Sequence, residues 1–376
     1  MNGGIISNPE RVGIDRLGLE LAVQHLERLR KEGMHRGVQL FVARHGITVL
    51  DVALGEARPS VPLNVSSVML WFSATKPLTS VAVAQQVERG LLGLDDPVKK
   101  YIPEFGNGKE SCTVRHILTH TGGFRMLNYP FFKNDWVTSI QDICQEPAEW
   151  VPGTQAGYHP LSGWNILGEL IRKVDGRPIE IYLKDELFLP LGMEWSFLGL
   201  SPEQAHSLGG SLSEIEDTSA PAGSNYPMNA PRARSRILPG GNGYGPAHDI
   251  AKLYLMLLND GEWDGHRFLK KETVALFTSV QRKGMVDRTI AEFAHMDVAP
   301  LWGLGFCKGP EQGEPHVFGS LATSATYGHT GNRSSFSLAD PTRGLVIVCV
   351  TNGIVTETQN ILRFNTLNNL IYQSCI

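Results

Sequence analysis

No stretch of this chain approaches the ~18 consecutive apolar residues that a membrane-crossing helix requires. The cysteine pattern of a stapled or zinc-bound fold is missing as well. The five cysteines, Cys112, Cys144, Cys307, Cys349 and Cys375, are odd in number, widely spaced and without a C-x-x-C. Reduced thiols are therefore expected. An excess of one charge sign is also lacking. The formal net charge is -4 and no run of like charges stands out. The most basic stretch, Arg232 to Arg236, is short and set among Pro and Gly, which reads as a solvated loop. Neither a nucleic-acid partner nor a membrane surface is expected. The N-terminus, MNGGIISNPERVG, has no basic start followed by an apolar run. No signal peptide is expected, and the protein is read as cytoplasmic.

Several catalytic signatures are absent too. Without a G-x-S-x-G there is no nucleophile elbow of the α/β-hydrolase kind. His116 and His120 have helical i, i+4 spacing, but no carboxylate stands between them in the metalloprotease arrangement, so they read as structural or capping histidines. The glycines at 240, 241, 243 and 245 form neither a P-loop nor a G-x-G-x-x-G and read as a turn. No metal and no organic cofactor is expected.

The chain has 376 residues, 42% hydrophobic and 19% charged, enough to bury a large core as two domains or one composite domain. Apolar positions at Ile14, Leu17, Leu21, Leu26 and Leu29 predict a helix over 14–33. Val38 to Arg44 and Ile47 to Leu54 read as strands joined by a His45-Gly46 hairpin turn. Thr75 to Gly90 reads as a helix that starts close to Ser73, because Pro77 is tolerated in a first turn. Further helices are expected at 114–120, 163–174, 179–188 and 248–259, and a long irregular segment at 201–246. The chain closes with strands at 302–307, 324–330, 334–340 and 345–351 and a helix at 362–372. The N- and C-terminal strands can share one antiparallel sheet with the terminal helices on one face, an α+β fold.

The positive chemical signal is Ser73-Ala74-Thr75-Lys76. Ser73 is the only serine with a lysine three residues on, and at the head of a helix the two side chains lie on one face. A serine hydroxyl needs a base to become a nucleophile. A lysine whose pKa is lowered by burial can serve.

S-x-x-K after an N-terminal β-hairpin resembles the serine β-lactamases and penicillin-binding proteins. The resemblance covers most of the chain. Leu118-Thr119-His120-Thr121-Gly122-Gly123 is similar to the L-T-H-T-S/G-G stretch of the class C β-lactamase-like family. Val151-Pro152-Gly153-Thr154 followed by Tyr158 is similar to its P-G segment, and Leu167 to Ile171 and Pro190-Leu191-Gly192-Met193 match its next helix and turn. Gly328-His329-Thr330-Gly331 stands where that family has K-T-G or H-T-G. The resemblance implies a β-lactamase/transpeptidase-like fold. Residues 1–72 and 247–376 would build a sheet domain, residues 73–246 a mostly helical one, with the active site at their interface. It implies Ser73 as nucleophile, Lys76 and a Tyr158 phenolate as proton carriers, and the backbone N–H groups of Ser73 and Asn332 as oxyanion hole. His329, Thr330, Gly331, His159, Trp71 and Phe124 would bind substrate.

Two departures narrow the activity. Pro160 stands where the family's Y-x-N motif has a side-chain amide. His329 replaces the lysine that meets a substrate carboxylate, and a histidine there is weaker and pH-dependent. Both point away from a dedicated β-lactamase or peptidase and towards the family's esterases. The expected function is hydrolysis of a small-molecule carboxylic ester through an acyl-Ser73 intermediate. The alternatives are transfer of the acyl group to a specific alcohol or amine, or a binding protein that retains the fold without turnover. The oligomeric state is not legible.

Overall fold

The computed structural model describes residues 1–221, 224–311 and 313–376, and the counts below are of those residues. The chain opens with strand β1 (Asn2–Ile5) and helix α1 (Arg16–Lys31), whose first turn is capped by the Asp15 carboxylate on the Leu17 N–H at 3.2 Å. Strands β2 (Gly37–Arg44) and β3 (Ile47–Arg58) meet at His45 and Gly46, with φ of 51° and 77°. Two successive left-handed residues give the tight turn whose twist suits paired strands, as the His45-Gly46 pair predicts. β4 (Met69–Phe72) passes through one 3-10 turn, Ser73–Thr75, into α2 (Lys76–Glu88).

The middle of the chain adds α3 (Val114–Leu118) and α4 (Ser162–Asp175). The described part of 201–246 is largely irregular, with short helices at Pro202–Leu208 and Pro231–Arg234. β5 (Gly243–Gly245) pairs antiparallel with β4, and α5 (Ala247–Leu258) follows it. Then come α6 (Arg288–Ala294), β6 (Cys307–Lys308), β7 (Tyr327–Gly331), β8 (Ser335–Asp340), β9 (Leu345–Thr351) and α7 (Glu357–Gln373).

The main sheet runs β1-β3-β2-β9-β8-β7-β6, with Val61–Pro62 paired to β3 beyond that path, and its strands are antiparallel. β2 against β9, from Val38↔Thr351 to Arg44↔Leu345, joins the two ends of the chain as the strand pattern predicts. Side chains alternate by face. Val38, Leu40 and Val42 join Leu345, Ile347 and Cys349 under the terminal helices, with Leu26 of α1 and Phe364 and Leu367 of α7. Phe41 and Ala43, with Val346 and Val348, face the other way into a core shared with Leu78 of α2, Trp164 and Leu170 of α4 and Ile250 of α5. That core runs without a break from the sheet into the middle helices.

Some predicted bounds shift for local reasons. The strand expected at 302–307 is reduced to β6, with isolated bridges at Trp302, because Gly305 (φ 81°) turns the chain. The helix expected over 114–120 stops at Leu118, and His120 is left-handed at φ 59°. His116 takes the capping role expected of it, its Nδ1 accepting the Thr113 N–H at 3.2 Å. The helix expected over 179–188 ends at Leu183 and widens into a π-type turn to Phe188. α7 starts five residues before the predicted Leu362, because Thr356 and Gln359 cap it reciprocally ahead of the apolar period. Among the described residues all five cysteines are free, no helix is long and apolar enough to cross a membrane, and no His, Cys, Asp or Glu group is arranged to hold a metal ion.

Candidate active site

Ser73 follows a residue that an L side chain adopts only under constraint. Phe72 has φ 51° and ψ -135°, so the chain reverses sharply as β4 ends. The turn is tied on both sides. Thr75 Oγ1 donates to Phe72 O at 2.6 Å and accepts the Gly243 N–H at 2.9 Å, while Ser335 Oγ donates to Trp71 O at 2.8 Å. The result is a half-buried Ser73 at the mouth of α2, with Lys76 one turn on and completely buried.

Lys76 Nζ has three oxygen partners. It lies 2.9 Å from Ser73 Oγ, 2.9 Å from Pro160 O and 2.5 Å from Gly240 O. Burial alone pushes its pKa well below the ordinary lysine range. A neutral amine has two N–H donors and one lone pair. In that neutral form the two carbonyls, which can only accept, would take the two N–H groups and the lone pair would face the Ser73 hydroxyl. Pro160 thus contributes its carbonyl oxygen, where the family resemblance led one to look for a side-chain amide.

Tyr158 reaches the same place from the loop before α4. Its ring lies 5.0 Å from Lys76 Nζ. Burial pushes the phenol pKa up, and a hydrogen bond with Ser73 draws it partly back. Burial acts against the charged form of both groups, the opposite direction to the Lys76-stabilised phenolate that the resemblance implies.

β7 supplies the opposite wall. Its end at Gly331 is flush with β4: a Cβ on Gly331 would lie 2.1 Å from Trp71 O and 2.2 Å from Ser335 Oγ. Asn332 and Arg333, at φ 28° and 56°, make the β7–β8 turn, and Asn332 Nδ2 donates to the Tyr226 hydroxyl at 3.0 Å. Thr330 is half-buried. His329 is 2% exposed, and its Nδ1 donates to Thr330 O at 2.7 Å in the neutral tautomer. Burial, with the nearby Lys76 next in weight, lowers its pKa to about 3.

The remaining predicted pocket residues are placed differently. Trp71, Phe124 and His159 have no accessible surface. Trp71 donates its ring N–H to Gly245 O at 2.9 Å, and Phe124 stacks edge-on against Phe105. The His159 ring packs 5.0 Å from Phe124, and burial lowers its pKa to about 3. These three side chains are packed in the interior and offer a ligand no surface.

His120, from the quoted Leu118 to Gly123 stretch, and the aromatic Trp302 pack on Tyr158, with ring centres 4.6 and 6.0 Å away. Sequence reasoning missed Asp287 and Thr289, which bond to the Tyr158 backbone and which no sequence motif marks.

The sequence model of the family described as Beta-lactamase matches residues 22–365. The chain is 29% identical over 354 residues to the esterase/beta-lactamase LipL of Mycobacterium tuberculosis (strain ATCC 25618 / H37Rv), covering 85% of this chain and 78% of that one. Among solved structures, a penicillin-binding protein homologue from Caulobacter crescentus superposes with a TM-score of 0.80 at 24% identity, over 96% of this chain and 99% of that one. A family VIII carboxylesterase does so with the same score, identity and coverage. The architecture is the β-lactamase/transpeptidase-like fold.

Proposed function

The chain belongs to the beta-lactamase family, a family of serine hydrolases, and from that premise we propose that it is a carboxylesterase working through an acyl-Ser73 intermediate. The observation that carries this reading is the Lys76 amine, held by two carbonyl oxygens with its third direction on Ser73 Oγ.

In this mechanism Ser73 Oγ attacks the ester carbonyl carbon while its proton passes to the Lys76 lone pair, a general-base step worth ~10²- to 10⁴-fold. The carbonyl π pair moves onto oxygen, and the backbone N–H groups of Ser73 and Asn332 hold the resulting oxyanion. Collapse of the tetrahedral centre breaks the bond to the alcohol. The departing alkoxide takes a proton from the Tyr158 phenol, and the Lys76 ammonium restores the phenol's proton. Water then repeats the sequence on the acyl-Ser73 ester, giving the carboxylic acid and free enzyme.

Two features support neutral esters over anionic substrates. Pro160 has no side-chain amide to offer, and the neutral His329 ring gives a substrate carboxylate no cation. The printed names of the mycobacterial relative and of the carboxylesterase with the same fold are in keeping with this reading.

The test is a pre-steady-state burst with a p-nitrophenyl ester, combined with intact-mass detection of the acyl adduct. The adduct is expected on the wild-type chain and absent from Ser73→Ala. Full turnover by Ser73→Ala would end the proposal. Added alcohols that divert the acyl group faster than water would move it to acyl transfer, and an adduct that never clears would mark a protein without turnover.

A further inference from the structure

The backbone around Tyr158 is held at four polar groups. On one side His120 takes two of them: its carbonyl accepts the Gly157 N–H and its Nδ1 accepts the His159 N–H, both at 2.9 Å. The other two go to residues that carry none of the proposed chemistry. Asp287 Oδ1 accepts the Tyr158 N–H at 2.9 Å, and Thr289 Oγ1 donates to Tyr158 O at 3.0 Å.

Asp287 is itself over-determined. The same Oδ1 caps α6 by accepting the N–H groups of Thr289 and Ile290 at 3.2 and 3.3 Å. Its Oδ2 meets Arg282 at 3.1 Å, with both side chains at most 2% exposed. Arg282 continues to Thr119 O at 3.0 Å, next to His120, and lies over the Trp302 ring. Arg288 N donates to Ala156 O at 3.0 Å, so the strip that bears Asp287 pairs with the chain just before Tyr158.

A buried ion pair is a poor device for stability alone, because the cost of desolvating both charges offsets their attraction. A helix cap needs only a hydroxyl or amide at the surface. What Asp287 does that neither purpose demands is fix the peptide of Tyr158. We propose that Asp287 and Thr289 are positioning residues that set the Tyr158 phenol against Ser73. The inference rests on the reading above that Tyr158 handles a proton. The Asp287 charge also acts in the same sense as burial on the phenol, disfavouring phenolate.

The test compares Thr289→Val, Thr289→Ser, Asp287→Asn and Tyr158→Phe by kcat, KM and Tm on one p-nitrophenyl ester. Thr289→Val removes only the hydroxyl's bonds and is expected to lower kcat about 10-fold with KM within about twofold, and Thr289→Ser to restore it. Asp287→Asn is expected to lower kcat by about 10²-fold, and neither change should lower kcat further in a Tyr158→Phe background. If Asp287→Asn does not fold, the Thr289 pair carries the test. Wild-type kcat in Thr289→Val alongside a crippled Tyr158→Phe would overturn the proposal, as would losses that multiply in the double variants. Full activity in Tyr158→Phe itself would instead remove the functional reading beneath it.

Discussion

Gly331 lies so close to Trp71 that a single methyl group on its Cα would stand 2.1 Å from the Trp71 carbonyl oxygen. Contact this tight cannot be absorbed by a side-chain rotation, since the neighbour is backbone. Gly331→Ala must therefore push the end of β7 away from the turn that carries Ser73. The sheet itself is pinned further along by the β7–β8 register, so the fold is expected to survive. A displaced oxyanion donor costs ~10²- to 10³-fold in kcat. Steady-state kinetics with a neutral ester, set beside the Tm, checks this. An unchanged kcat would separate the β7 end from the catalytic site.

Lys76 fixes the expected pH dependence. In the proposed mechanism acyl transfer to Ser73 needs the neutral amine, and burial holds the lysine pKa well below its usual ~10.4. The rate is therefore lost as pH falls through that lowered value, and it is already developed well below pH 10. Lys76→Arg keeps a cation that cannot deprotonate and is expected to lose roughly 10²- to 10⁴-fold in the burst rate. The burst-rate profile on a non-ionising ester measures both. An acid limb near the free-lysine value would refute the neutral amine.

The sheet was legible because its strands are short β-branched apolar runs bounded by turns. Leu345 to Thr351 is buried on both faces, between two cores, and the hairpin at His45-Gly46 needs two left-handed residues that sequence can name. Ser73, Lys76 and Tyr158 were legible by spacing and resemblance. Their charge states were not, because burial decides them and burial belongs to the assembled fold. The same holds for Asp287 and Thr289, which lie 129 and 131 residues from Tyr158 along the chain. Trp71, Phe124 and His159 sit beside motifs in sequence, but alternation and loop direction turn them inward.

Buried neutral histidines predict a stability that falls in mild acid. His35, His159 and His329 have pKa values lowered to about 3, chiefly by burial, and His120 is lowered well below its ordinary value. In the unfolded chain each binds a proton near ~6.5. Between those values the unfolded state binds more protons, so stability rises with pH there. It is complete above ~6.5 and declines towards pH 3, by about 1.4 kcal/mol per pH unit for each group fully inside that window. Urea midpoints at pH 7.5 and 5.5 check this, with the lower midpoint expected at 5.5. His35→Leu should flatten the slope, and a flat wild-type profile would contradict the burial of these rings.

His329 makes the substrate's charge the last discriminating quantity. Its Nδ1 proton is committed to Thr330 O, so the neutral ring, with centroids of the Tyr158 and Trp302 rings 6.1 and 5.5 Å away, carries no further proton to donate. A carboxylate brought to that wall finds no positive partner and loses hydration. A β-lactam or a peptide with a free C-terminus is therefore expected to react far more slowly than an uncharged ester of similar size. His329→Lys adds a cation at the same strand position. It is expected to raise kcat/KM for nitrocefin relative to a p-nitrophenyl ester by about 10-fold, the scale of one charge-assisted contact. Both rates come from one enzyme preparation, so a folding loss scales them together and leaves their ratio intact. An unchanged ratio would mean that selection against anionic substrates arises elsewhere, with Pro160 the remaining difference to examine.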